Sequence, residues 1–357
     1  MIRKRIPFDG RQVPTYIESG LLIRLQEFLE LYRYPAHTYW FFRKEYEKIL
    51  LQMGQKGREG ETYCSFSRQK LLEDFSAVPK IWDRLAEDLR VKEHGVTLIA
   101  IGDEQVLRLV RAIAGNLAVP HALVLCPVDV SSLLLGGLAR DFTISWKGNE
   151  DFLKIIGNPD LILVDFEFFV PRSDEQRMEQ IIELLRFYHF ASPPAFKRFG
   201  ERWLRENARK FSWDKTGAEA LIDDCLQEVL PKAGSWQPIN DFGQRVVRLL
   251  EKRERKRVIG QLRAVLIACE LTFLWKCSEL LHFCSKSVAD NMISLIERAI
   301  RPFEENGEYG TIRKTFQLAS SEAFQQNILI PRGIGDVVRL GTLDAELIGR
   351  VIRELRW

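Results

Sequence analysis

Arg198, Arg202, Arg205 and Arg209 follow one another at i, i+4, i+7 and i+11, which lines four guanidiniums along one helix face. Phe199, Trp203 and Phe211 fall on a different face, as an amphipathic helix held to a core would place them. Arg245, Arg248, Lys252, Arg255 and Lys256 repeat the pattern around a segment reading EKRERKR. Such stripes track a phosphate backbone, each contact releasing condensed counterions. Interleaved Glu201, Glu206, Glu251 and Glu254 also fit an ordinary solvated face.

A different chemistry is open to Asp165 and Glu167. Two carboxylates one residue apart on a strand project to the same side and can share a divalent cation, as metal-dependent nucleases require. Asp223, Asp224, Asp241 and Asp290 lie in helical or loop patterns and do not complete such a set. Cys269, Cys277, His282 and Cys284 offer no closely spaced cysteine pair of the kind structural zinc prefers. Their neighbours Leu280, Leu281 and Phe283 are core formers, so buried free thiols are expected there. His37, His94, His121 and His189 stand singly, and Cys64 and Ser65 lack a nucleophile elbow. No Ser–His–Asp or Cys–His arrangement is visible.

The elements that carry these residues fall into three stretches. Residues 1–93 read as a helical N-terminal domain. Leu21, Leu22, Leu25, Phe28, Leu29 and Tyr32 recur at helical spacing, and residues 38–53 form a second amphipathic run. Ser67 stands as an N-cap for a third helix. Residues 94–215 read as an α/β domain with a central parallel sheet. The run 96–101 is wholly apolar and ends at Gly102, a helix follows to 117, and 122–126 (ALVLC) is a second strand. Residues 142–146 make a third, and 161–164 a fourth that ends at Asp165. Residues 216–357 read as a helical C-terminal domain with room for a small hairpin near Pro331.

Strand, turn, helix, strand and a later strand ending in Asp165 is the element order of P-loop ATPases, but the turn is Gly102-Asp103-Glu104. A phosphate cradle needs converging glycine N–H groups, a Lys and a Ser or Thr. Two carboxylates at that point neutralise the helix N-terminus and repel a polyphosphate, so ATP hydrolysis is not expected. Over about residues 95–230 the chain resembles degenerate members of the AAA+ superfamily. Its turn is similar to that of the nucleotide-free delta subunits of bacterial clamp loaders. Residues 161–165 resemble a Walker B strand whose following Glu has become Phe166, and the run 173–186 is similar to helicase loaders of the DnaC type. The resemblance implies a P-loop-like sheet without a phosphate loop and no bound cofactor.

Fifty-two Lys and Arg against forty-nine Asp and Glu leave +3, too little to argue wholesale polyanion binding from charge. The apolar stretch 258–284 is interrupted by Arg263, Glu270, Lys276 and Glu279, which predicts a buried helix and no membrane span. No apolar run follows the basic residues 3–5, so no secretory signal is expected, and six sparse cysteines point to reduced thiols in the cytoplasm. These readings lead to an expected non-enzymatic accessory or assembly factor in a DNA or RNA transaction. It would act through protein partners and phosphate contacts. An interaction scaffold without nucleic acid is the alternative, and a nuclease using Asp165 and Glu167 the third.

Overall fold

Seven strands pair in the order β1-β2-β9-β6-β5-β3-β4. They are β1 (Ile2–Phe8), β2 (Arg11–Glu18), β3 (Thr38–Arg43), β4 (Glu61–Phe66), β5 (Val96–Gly102), β6 (His121–Pro127) and β9 (Leu161–Asp165). β1 and β2 form an antiparallel hairpin, and every other pairing is parallel. The intervening β7 (Phe142–Trp146) and β8 (Asn149–Ile155) make a separate hairpin. The computed structural model describes all residues except 9, 55–60, 73–77, 141, 147–148, 156, 205–213, 230, 232–235 and 302–308.

The chain divides into two compact units. The first comprises Met1–Val170 with a short return ending at Glu219; the second comprises the remainder. In the first unit every residue of β3 and β5 is buried, as parallel strands covered on both faces must be. Trp40 pairs with Ile99, and Ile99 with Val124, so one row of large side chains crosses the sheet beneath residues 21–29. Burial of each such side chain contributes about 1.5–3 kcal/mol relative to exposure.

The helical N-terminal domain expected from residues 1–93 is therefore corrected: that stretch supplies four of the seven sheet strands. Residues 38–43, TYWFFR, are the clearest case. A short run that is apolar on all sides has no period to read, and its aromatic content favours a strand. The sheet is mixed, with β1 antiparallel at one edge, and differs from the all-parallel P-loop-like arrangement expected.

Among the described residues the second unit is helical apart from a hairpin of β10 (Ile328–Gly333) and β11 (Asp336–Leu340). Its axis is the helix Gly260–Leu280, buried around its whole girth from Ala264 to Ser278. The helices Asp174–Tyr188, Lys286–Ile300, Tyr309–Ala323 and Ala345–Glu354 pack around it together with β10. Among the described residues no helix is long and apolar enough to cross a membrane.

Candidate functional site

The chain runs from β3 outward to β4, then returns to β5 on the other side of β3 and proceeds through β6 to β9. Strand order thus reverses between β3 and β5. Open α/β sheets bind ligands at such a reversal, outside the carboxyl ends of the strands. Here Arg43 ends β3 and Asp103 follows β5, and both are buried. Arg43 Nε donates to Asp103 Oδ2 at 2.6 Å and Nη2 to Oδ1 at 3.3 Å. Nη2 also reaches Gln105 Oε1 at 3.1 Å, while Nη1 donates to the carbonyls of Ser67 and Lys70, both at 2.8 Å. All five guanidinium N–H groups are thereby used. Gln105 Oε1 in turn accepts the N–H of Leu72 at 3.2 Å, which pins the segment after β4 over the crevice.

The helix Glu104–Ala114 begins at the same place. Asp103 is its N-cap, with Oδ1 accepting the N–H groups of Gln105 at 3.0 Å and Val106 at 3.2 Å. Glu104 pairs with Arg108 at 3.0 Å and accepts the Ser131 hydroxyl at 3.1 Å. Leu107 packs onto Gly136 so closely that a Cβ there would lie 2.9 Å from Leu107 Cβ.

In the second unit Glu183 occupies the middle of the helix Asp174–Tyr188 and is buried. Its Oε1 accepts from Gln244 Nε2 at 2.9 Å and from Arg263 at 3.2 Å, and its Oε2 from Arg186 Nε at 2.8 Å. Arg186 also donates to the carbonyls of Ile239 and Phe242. Gly243, at φ +74°, lets that arginine pass, because a Cβ would stand 3.2 Å from Arg186 Cδ. Arg263 lies 3.9 Å from Glu251 Oε1, which accepts the Val258 N–H at 2.9 Å. The neighbouring carboxylates Glu183 and Glu251 hold the Arg263 guanidinium's pKa above its ordinary value despite burial.

Sequence reasoning named neither Arg43 nor the Glu183 cluster. The available signal was an arginine closing an apolar run, in YWFFR and in IIELLR, where a lone cation must find a buried partner. The residues it did name are distributed as follows. Arg198 pairs with Asp224 at 2.9 Å, and Arg202 lies over the Trp203 ring at 5.3 Å. Arg205 and Arg209 lie outside the described residues. Arg245 donates to the carbonyls of Gln326 and Asn327, and Arg248 pairs with Asp241 at 2.5 Å. Lys252, Arg255 and Lys256 are exposed. Asp165 is buried, and its carboxylate accepts the N–H groups of Gly20, Leu22 and Glu167 at 2.9–3.0 Å, tying residues 20–22 to the end of β9; Glu167 is exposed. Burial pushes the Asp165 carboxyl upward.

No family model and no curated protein matches the sequence. Solved structures match it end to end. A 2-deoxy-scyllo-inosose synthase complexed with carbaglucose-6-phosphate, NAD+ and Co2+ superposes with a TM-score of 0.72 at 13% identity, over 99% of each chain. The 2-epi-5-epi-valiolone synthase ValA from Streptomyces hygroscopicus subsp. jinggangensis 5008, with NAD+ and Zn2+ bound, gives 0.69 at 13% identity over 100% of this chain and 98% of that one. An iron-containing alcohol dehydrogenase from Corynebacterium glutamicum ATCC 13032 gives 0.57 at 12% identity over 99% and 96%.

The fold is therefore the one these synthases and dehydrogenases share. It replaces the AAA+ resemblance, in its clamp-loader and helicase-loader forms alike. A strand, a glycine turn, a helix and a strand ending in an acid occur in any doubly wound sheet and do not single out a P-loop protein. The expected roles as a DNA or RNA assembly factor, an interaction scaffold or a nuclease are corrected by the same finding, as is the expectation of a non-enzyme. The proteins that share this architecture from end to end are enzymes of small molecules. The stripes also lose part of their force as a phosphate track, since Arg198 and Arg248 are committed to carboxylates within the chain.

NAD+ and a divalent cation accompany this fold in the two synthases. The described residues fit neither group. Asp103 takes the helix N-terminus where a pyrophosphate would sit, and Arg43 fills the crevice beside it. Among the described residues no three His, Cys, Asp or Glu side chains converge as metal ligands.

Proposed function

We propose that the chain is an enzyme of small-molecule metabolism whose substrate is a phosphorylated polyhydroxy compound of about hexose size, acting in the reducing cytoplasm. The observation that carries this reading is the contrast in structural likeness. Both synthases superpose at 0.69–0.72 through both units, against 0.57 for the dehydrogenase, and one synthase holds carbaglucose-6-phosphate. The six free cysteines, four of them buried, support a reducing compartment. Glucose 6-phosphate is the first probe. A ligand at about ten times its Kd stabilises the folded state by ~1.4 kcal/mol, which raises Tm by roughly 2 °C or more. We expect that rise with glucose 6-phosphate, and none with inorganic phosphate or duplex DNA at the same ionic strength. Failure of every hexose and pentose phosphate at ~10 mM, where a Kd of 1 mM would saturate the site, overturns the reading.

A further inference from the structure

We infer that this chain binds neither NAD+ nor a divalent metal ion, because a buried ion pair occupies the crevice a dinucleotide would need and the described residues bring no convergent donor set together for a metal. Strand order reverses between β3 and β5, and that crevice is where an open α/β sheet receives a nucleotide. Its mouth is filled by a guanidinium with all five N–H groups satisfied, two by Asp103, two by backbone carbonyls and one by Gln105. The Leu72 N–H joins the same network, so the segment after β4 is part of the plug. Entry of a pyrophosphate would strip Arg43 of these partners and set new negative charge beside Asp103 and Glu104.

The glycine pattern agrees. A dinucleotide turn places glycines at the first, third and sixth positions of its fingerprint, for the turn, for backbone approach to the pyrophosphate and for helix packing. Gly102 supplies the first, but Glu104 and Leu107 hold the other two. Leu107 is matched by Gly136 on the opposite side, where any Cβ would collide with it. The packing at this point is close around the leucine side chain.

Zinc and cobalt need a convergent set of imidazole, thiolate or carboxylate donors. Glu183 is surrounded instead by Gln244, Arg186 and Arg263, all of which donate hydrogen bonds and two of which are cations. His189 has both ring nitrogens engaged, Nδ1 to the Leu185 carbonyl at 2.6 Å and Nε2 accepting from Trp275 at 2.9 Å. Burial pushes the thiols of Cys126, Cys225, Cys269 and Cys277 upward, away from the thiolate a metal binds.

The sugar-phosphate substrate rests on the function proposed above, whereas the claim about cofactors stands on this chain's own side-chain contacts. Its test uses the full chain, purified without chelator. NAD+ and NADH are titrated by calorimetry and nicotinamide fluorescence to ~1 mM, the range that reports affinities of about 4 kcal/mol and stronger. Bound metal is measured by elemental analysis, and Tm is taken with and without EDTA. We expect no saturable signal, less than about one-tenth of a metal ion per chain and an unchanged Tm. A Kd for either nucleotide below ~100 μM, roughly 5.5 kcal/mol, or zinc, cobalt or iron near one per chain, overturns the inference. Such a result would leave the glucose 6-phosphate experiment untouched, so the two readings fail separately.

Discussion

Arg43 is the residue on which most of the crevice depends. Its side chain is fully buried, and among the described residues the carboxylate it contacts through hydrogen bonds is Asp103. Removing one partner of a buried ion pair strands the other charge, at a cost of about 3–5 kcal/mol. Arg43→Ala should lose that much stability in urea denaturation, and Asp103→Ala slightly more, because it also removes an N-cap of about 1 kcal/mol. Arg43→Lys should recover only part of the loss, since an ammonium has three donors and cannot match the fork. A double replacement with apolar residues, Arg43→Met with Asp103→Leu, should fall well short of the sum of the single losses. Additive losses would show that the pair does not act as one unit. At this scale the sequence was only partly legible. Asp103 and Glu104 as helix-neutralising acids were readable in the turn itself. Arg43 was not, because its partner lies sixty residues away and the run before it carries no period.

At the scale of elements, the helix Gly260–Leu280 holds two ionisable contacts that respond to pH in opposite senses. Trp275 donates to His189, whose pKa burial lowers to about 4. Glu270 Oε2 accepts the Val246 N–H, capping the helix Arg245–Glu254 from outside, while its buried Oε1 has no hydrogen-bond partner among the described residues. Burial raises the Glu270 carboxyl to about 7, against the opposing pull of the Val246 and Arg245 backbone and the Arg245 and Arg248 charges. The unfolded chain takes up a proton at His189 before the folded one does, so that contribution is complete above about pH 6.5 and is lost as pH falls to about 4. Glu270 runs the other way: its favourable state is the neutral acid, and stability is lost as pH rises from about 4.5 through 7. Each shift corresponds to about 3 kcal/mol, so the two nearly cancel between pH 4.5 and 6.5. Glu270→Gln should break the balance. Whatever fixed cost the amide brings, the stability of the variant relative to the parent should rise by about 3 kcal/mol from pH 4.5 to 7.5. A difference that stays constant across that range would rule out a titrating Glu270. The helices of this unit were largely legible, since long periodic segments carry their own signal. The strands β1 to β4 were not, because β2 and β3 join the sheet through β9 and β5, distant in sequence, while β1 and β4 are edge strands held only by β2 and β3.

The whole molecule lay furthest from what the sequence displayed. At 12–13% identity the chain shares the fold of its structural counterparts, while its own turn after β5 carries Asp103, Glu104 and Leu107 rather than the glycines of a dinucleotide fingerprint. The buried plug has a consequence for how the protein keeps its shape. An enzyme that holds a cofactor at a thousand times its Kd draws ~4 kcal/mol of stability from that occupancy, and loses it when the pool runs low. Here the corresponding stabiliser is Arg43, joined to the chain by covalent bonds and present at a fixed ratio of one. Dialysis, starvation or a shift in the cell's redox balance cannot wash it out. The melting temperature of the dialysed protein should therefore be the same with and without added NAD+ and zinc, and an increase on adding either would show the crevice open. Abundance of such a protein would follow its synthesis and turnover, decoupled from the supply of any nucleotide.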